Sequence, residues 1–315
     1  MDNKVLKDEL LKKLKDSTQS NNIEFTKKIP FSGSVESPTL FLDEKWLNKN
    51  MQDDGGAFEG WVIALLALAH CEQVAIRWDR IPVDNPHYQR FLYRVAFFSE
   101  LFPELSLSEE NREDVERRKA KASDICYVNV PKTEAALQAK DREAILERSL
   151  INEVMDENTE SQFPCGVFCE PGEPKEVNKI FPGRRAAMDI VRVSKDTIFV
   201  YELKERKNKS IGIVSELMFY TSILRDLCRG RMEFARHEQS TRCAKSINAI
   251  SSGNIRNVEA VFLVEDGNFH PLLQHPDYLE RLNKGAARFT EPAFRFRKAR
   301  FTVDATYSCS GIEYV

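Results

Sequence analysis

Met188-Asp-Ile-Val-Arg-Val-Ser-Lys-Asp-Thr-Ile-Phe-Val-Tyr-Glu-Leu-Lys204 is the stretch that decides the fold. Two apolar runs flank the polar Ser194-Lys195-Asp196, the pattern of two strands joined by a tight turn. Side chains alternate between the faces of a strand, so Glu202 and Lys204 share one face while Phe199, Tyr201 and Leu203 share the other. A hairpin sets Asp189 alongside the end of the second run. Three charged groups then converge within an otherwise apolar sheet.

Charges rarely sit on buried strands unless paired or bound to metal, and two carboxylates repel each other. A Mg²⁺ shared by Asp189 and Glu202 resolves this, with the Leu203 carbonyl as a further ligand and Mn²⁺ as a substitute. Lys204 then positions the attacking water. Such a set suits hydrolysis of a phosphodiester.

Outward from the hairpin, the pattern is that of an α/β protein. A helix beginning near the Thr133 N-cap and running to about Met155 precedes it, with Leu146, Leu150, Ile151 and Val154 on one stripe. Strands are expected at Gly166–Glu170, Ala186–Val193, Thr197–Lys204, Val258–Glu265 and Ala293–Thr302. Helices are expected over Ile211–Cys228 and near Asp277–Asn283. This order predicts a mixed sheet flanked by helices. The first part of the chain reads as mostly helical. A charged helix fills its first residues, and a strand is expected at Thr39–Asp43. Further helices run from Ala57 to about Val74 and from His87 to Leu101, and Ser108–Ala122 reads as an exposed helix or linker. Two domains are expected, 1–130 and 131–315.

The chain has 315 residues, 42% hydrophobic and 30% charged, which excludes disordered and low-complexity classes. Its longest apolar run, Trp61 to Ala69, has nine residues, against about 20 for a bilayer span. The opening MDNKVLKDELLKKLKD lacks the apolar core of a secretory signal. Seven cysteines, odd in number and without a CxxC pair, predict free thiols in a reducing cytoplasm. The histidines are scattered. No G-x-S-x-G, Walker loop or GxGxxG is present, which argues against ATP hydrolysis. The net charge of −3 leaves nucleic-acid binding to a local basic surface.

Asp189, twelve residues, then Glu202-Leu-Lys204 resembles the active-site core of the PD-(D/E)XK nuclease superfamily. Ser215-Glu-Leu-Met-Phe-Tyr220 is similar to the Q-xxx-Y helix of its RecB-like and Cas4-like branch, with Glu216 in place of Gln and Tyr220 kept. The likeness covers about residues 133 to 270, and no Pro precedes Asp189. It implies a restriction-endonuclease-like fold for residues 131–315 and metal-dependent cleavage of nucleic acid, DNA first. A setting in restriction or defence against foreign DNA and a homodimer are compatible with it. It also implies that Glu216 and Tyr220 line the site. A Glu on the preceding helix joins them, with Glu147 favoured over Glu143 and Glu153.

Basic residues near the site suit phosphates: Arg184 and Arg185 before the first strand, and Arg206, Lys207 and Lys209 after the second. Arg295, Arg297, Lys298 and Arg300 alternate with Phe294, Phe296 and Phe301, which also fits a half-buried strand. One alternative is a catalytically inactive nuclease fold that binds nucleic acid or a protein partner. Another is an interaction protein acting through its helical first part.

Overall fold

The computed structural model describes residues 2–25, 29–47, 51, 55–82, 84–121, 126–128, 142–171, 175–182, 186–235 and 243–315. The expected helix start at Thr133, and Arg184 and Arg185, lie outside them. The protein is a mixed α/β structure with open sheets. It divides into two compact units. The first takes Met1–Lys121, Ser210–Met218 and Phe269–Arg288, and the second takes the rest, so no single boundary near residue 130 separates them.

The first unit opens with α1 (Asn3–Thr18), capped by the Asp2 carboxylate, which accepts the Lys4 N–H. Leu6, Leu10 and Leu14 form its buried stripe. The expectation of a mostly helical first part meets a four-stranded sheet of β1 (Phe31–Gly33), β2 (Pro38–Leu42), β3 (Val74–Trp78) and β4 (Leu105–Leu107). β1 and β2 are antiparallel, and the other pairs are parallel. Helix α2 (Glu44–Leu47) is short, and α3 (Phe58–Ala67) ends seven residues before the expected Val74. His70, at φ 56, turns the chain out of the helix, and residues 74–78 become β3 instead.

Helix α4 (Pro86–Leu101) starts where expected because Asn85 caps it and Pro86 fills its first turn. Helix α5 (Glu109–Lys121) is not the exposed segment its charges suggest. Asn111, Asp114, Val115 and Arg118 fall on one helical stripe and are buried. Asn111 exchanges hydrogen bonds with the Trp78 main chain, and Asp114 accepts from the Tyr88 hydroxyl at 2.7 Å. Polar partners, beside the apolar residue Val115, fix that face.

The second unit is built on a six-stranded mixed sheet in the order β13-β12-β11-β9-β8-β6. The strands are β6 (Thr159–Pro164), β8 (Ala187–Ser194), β9 (Thr197–Lys204), β11 (Asn257–Glu265), β12 (Ala293–Val303) and β13 (Cys309–Tyr314). A smaller sheet orders β10 (Met232–Phe234), β5 (Cys126–Val128) and β7 (Val167–Phe168). β11 is parallel to both β9 and β12, whereas β8 is antiparallel to β9 and to β6.

Helix α6 (Arg142–Ser149) continues as a π-helical turn, Leu150–Val154. Leu146 and Leu150 there close over Ile190, Tyr201, Leu203, Val261 and Leu263. Each such fully buried leucine contributes about 1.5–3 kcal/mol. The α6 face of the sheet therefore carries the odd residues of β9, which leaves Glu202 and Lys204 on the other face. Helix α7 (Gly212–Cys228) gives its turns through Met218 to the first unit and the remainder to the second, and α8 (Ala244–Ser251) follows. Among the described residues no helix is long and apolar enough to cross a membrane.

Candidate active site

The β8–β9 hairpin closes at Ser194↔Thr197, with Lys195 at φ 57 in the turn. Its ladder runs to Ile190↔Tyr201. At the next residue a side chain takes over from the main chain, for Asp189 Oδ2 accepts the Leu203 N–H at 3.0 Å. The carboxylate occupies the place where a continued ladder would present a carbonyl. Continuing the register sets Asp189 opposite Glu202, and residues opposite each other point to one face. A strand residue in a paired position sends N–H and C=O to the same side, so the Leu203 carbonyl also faces the gap that opens there.

β8 is loosened on its other edge at the same point. Gln162 of β6 stands between the pairs Ser161↔Ile190 and Phe163↔Met188, across from Asp189. Its φ is 55, a left-handed conformation costing a side-chain-bearing residue roughly 1–2 kcal/mol. Asp189 thus sits half-buried where the sheet is interrupted on both sides.

Glu202 is 1% exposed and Lys204 4%. They form an ion pair, Nζ donating to Oε1 at 2.5 Å. On sequence alone, charge balance at Glu202 falls to a metal. Here Lys204 supplies the counter-charge of Glu202, so the buried carboxylate does not of itself demand an ion. Among the described residues no three His, Cys, Asp or Glu side chains gather as a metal site. The register sets the Asp189 and Glu202 carboxylates opposite each other with the Leu203 carbonyl beside them, and all of these donors are oxygen. They suit a hard cation that keeps several waters and do not form an all-protein cage.

The other expected residues divide. The Tyr220 hydroxyl donates to the Ala187 carbonyl at 3.2 Å and so anchors the start of β8 two residues before Asp189. Glu147 is buried and accepts from Gln162 Nε2 at 2.8 Å. Glu216 is buried in the part of α7 that belongs to the first unit, where its neighbour Ser215 donates to Glu59. Glu153 accepts from Ser308. Glu143 is the helix acid that reaches the segment after Lys204, taking the Glu205 N–H at 3.4 Å and Asn208 Nδ2 at 3.1 Å.

That segment is held by residues the sequence reading passed over. Arg142 donates to both oxygens of Glu265, at 2.6 and 2.5 Å, and to Glu205 at 2.9 Å. Glu265 also accepts the Arg206 N–H at 2.8 Å. The Arg142 guanidinium holds the Glu265 carboxyl below the usual carboxylate range, against the opposing effect of burial. An acid closing an apolar strand was the signal available for Glu265, the same one that singled out Glu202.

Lys207 and Lys209 are exposed, and Arg206 is exposed but ion-paired with Asp266. On β12, Phe294, Phe296 and Phe301 are buried, whereas Arg297 pairs with Glu259 at 2.6 Å and Arg300 with Glu313 at 2.7 Å. The alternating Arg and Phe are those of a half-buried strand. The chain matches no family model, no curated protein and no solved structure.

Proposed function

We propose that the second unit is a metal-dependent nuclease of the PD-(D/E)XK type, restriction-endonuclease-like in fold, that hydrolyses phosphodiester bonds, of DNA first. The observation that carries this reading is the opening of the β8–β9 ladder at Asp189, opposite Glu202, with Lys204 held on the same face. An uninterrupted sheet has no use for a carboxylate in the place of a main-chain acceptor.

Asp189, Glu202 and the Leu203 carbonyl would hold Mg²⁺, or Mn²⁺ in its place. When bound, the cation polarises a phosphoryl oxygen and lowers the pKa of water. Lys204, oriented through Glu202 Oε1, directs its ammonium at the attacking water. Tyr220 fixes the approach of β8 to the site, and Glu147 acts through Gln162 on the far edge of Asp189. Arg206, Lys207 and Lys209 contact backbone phosphates and give affinity without sequence readout. A place in restriction or defence against foreign DNA is compatible with this class of activity.

A second reading keeps the fold and gives up catalysis, leaving a nucleic-acid or protein binder. The close Glu202–Lys204 pair favours it. Purified protein incubated with supercoiled plasmid, linear duplex, single-stranded DNA and RNA separates the two. Cleavage that needs Mg²⁺ or Mn²⁺, stops in EDTA and is lost in Glu202→Gln supports the nuclease. Binding without cleavage on every substrate assigns the second reading. Cleavage that survives both EDTA and Glu202→Gln places the chemistry elsewhere.

A further inference from the structure

At the other end of the same sheet lies a cavity of about 400 Å³ lined by Cys228, Arg229, Ile255, Arg256, Glu291 and Pro292. It gathers the C-terminus of α7 and the segments leading into β11 and β12. Two arginines share it. Arg229 is fixed, its Nε donating to the Glu291 carbonyl at 2.7 Å and its guanidinium lying 5.6 Å from the centre of the Phe289 ring. That bond uses one of five N–H donors and orients the rest of the fork. Arg256 is held by its main chain, its N–H on the Asp196 carbonyl at 2.7 Å and its carbonyl on the Ala293 N–H at 2.9 Å. The residue is exposed and lines the cavity.

The neighbouring cations have structural partners. Arg225 and Arg231 both pair with Asp226. Arginine at a helix C-terminus complements the helix dipole, which accounts for Arg225, Arg229 and Arg231 but not for Arg256, which precedes a strand. Among the described residues neither Arg229 nor Arg256 has an ion pair. Glu291 offers the one carboxylate of the lining. Burial pushes the Cys228 thiol up to about 12, so it adds no negative charge. Two guanidinium groups in one small cavity repel each other, and an anion between them relieves this. The planar fork of arginine matches phosphate oxygens in pairs.

We infer that this cavity binds phosphate, as the phosphate group of a free nucleotide or of a nucleic-acid strand. It is separate from the Asp189–Glu202 site. Glu202 lies in register with Phe262, five residues along β11 from Asn257, which is about 17 Å at the rise of a strand. The inference does not depend on the nuclease reading.

The test is done in EDTA on the full chain. Inorganic phosphate and 5′-AMP are titrated by calorimetry, and a labelled single-stranded oligonucleotide by anisotropy. Saturable binding of at least one of them is expected, weakened about tenfold or more in Arg256→Gln, as fits loss of a charge-assisted bond. Thermal unfolding of this variant should stay at the wild-type temperature, because Arg256 is exposed. Arg256→Lys, which keeps the charge and loses the fork, should fall in between, and it decides the matter if the Gln variant unfolds. Asp189→Ala should bind as wild type does. Phosphate and AMP binding without the oligonucleotide identifies a nucleotide site, and the oligonucleotide alone identifies a strand contact. No binding of any probe, wild-type binding by both Arg256 variants, or equal loss in Asp189→Ala overturns the inference.

Discussion

Two buried ion pairs are alike in distance and exposure and unlike in construction. In the first unit Arg94 and Glu59 meet at 2.5 Å, with side chains 4% and 1% exposed. In the second, Lys204 and Glu202 meet at 2.5 Å, with side chains 5% and 2% exposed. Glu59 and Arg94 join α3 to α4 through two parallel bonds, and Gly56 and Ser215 add a carbonyl and a hydroxyl. The fork of arginine and both carboxylate oxygens are engaged, which is how a buried pair contributes to stability. Glu202 and Lys204 are two residues apart on one strand, so their mutual bond by itself joins no two elements. They stand opposite a further carboxylate where a ladder opens. One pair joins two helices of the first unit; under the proposed reading, the other sets a charge beside the metal site.

The largest effect expected is on cleavage. Asp189→Ala and Glu202→Ala should each lower it by at least about a thousandfold, with circular dichroism unchanged. Retained cleavage in both would make the second pair as structural as the first.

Stability should divide the other way. Arg94→Ala leaves Glu59 buried without its cation and should cost about 3–5 kcal/mol in urea unfolding. The double variant Glu59→Gln/Arg94→Met should also be destabilised, because the buried Gly56 carbonyl loses its donor. Glu202→Gln/Lys204→Met should unfold at or above the wild-type temperature, since a buried pair replaced by groups of similar volume is often neutral or better. Equal losses in the two double variants would break the comparison.

The two pairs were not equally legible. Strand β9 coincides with its sequence expectation because an apolar run of strand length lies between a polar turn and two charges. Glu202 and Lys204 stood out for interrupting that run. Glu59 did not, because one acid at the start of an apolar helix looks like an ordinary first-turn residue. Its partner lies 35 residues away. β6 escaped notice because Thr159-Glu-Ser-Gln-Phe-Pro164 has no apolar alternation, being an edge strand. The exposed pattern of β13 hid it similarly. The return of residues 210–218 and 269–288 to the first unit rests on contacts distant in sequence, which no local periodicity encodes.

A third cluster lies between the extremes and sharpens the contrast. Arg142 is 32% exposed and grips the buried Glu265. Hydrogen bonding from Arg142, then from the Arg206 N–H, lowers the Glu265 pKa. With the folded value below the unfolded one, near 4.3, this stabilisation is present above the unfolded pKa. It is lost as pH falls through the folded value. Arg142→Gln should therefore cost about 1.5–3 kcal/mol near neutrality, and less as the medium is acidified below pH ~4. Unfolding curves from neutral to acid pH check this. A cost that stays constant in acid would assign Arg142 a packing role over Tyr307, which it also covers.

The smallest effect concerns Tyr220. Its ring is buried, and its hydroxyl donates to the Ala187 carbonyl. Tyr220→Phe keeps the ring and removes that one bond, so stability should fall by only about 0.5–1.5 kcal/mol. The Ala187 carbonyl lies two residues before Asp189, on the stretch of β8 that has left the β9 ladder. Freed from its anchor, this stretch gains play where the Asp189 carboxylate must meet Glu202. Turnover should therefore fall several-fold while the substrate KM is nearly unchanged, because Arg206, Lys207 and Lys209 follow the other strand. The concentration of Mg²⁺ needed for half-maximal activity should rise. A purely structural tyrosine would lower the unfolding temperature and leave the Mg²⁺ requirement where it was, and that result would remove Tyr220 from the site.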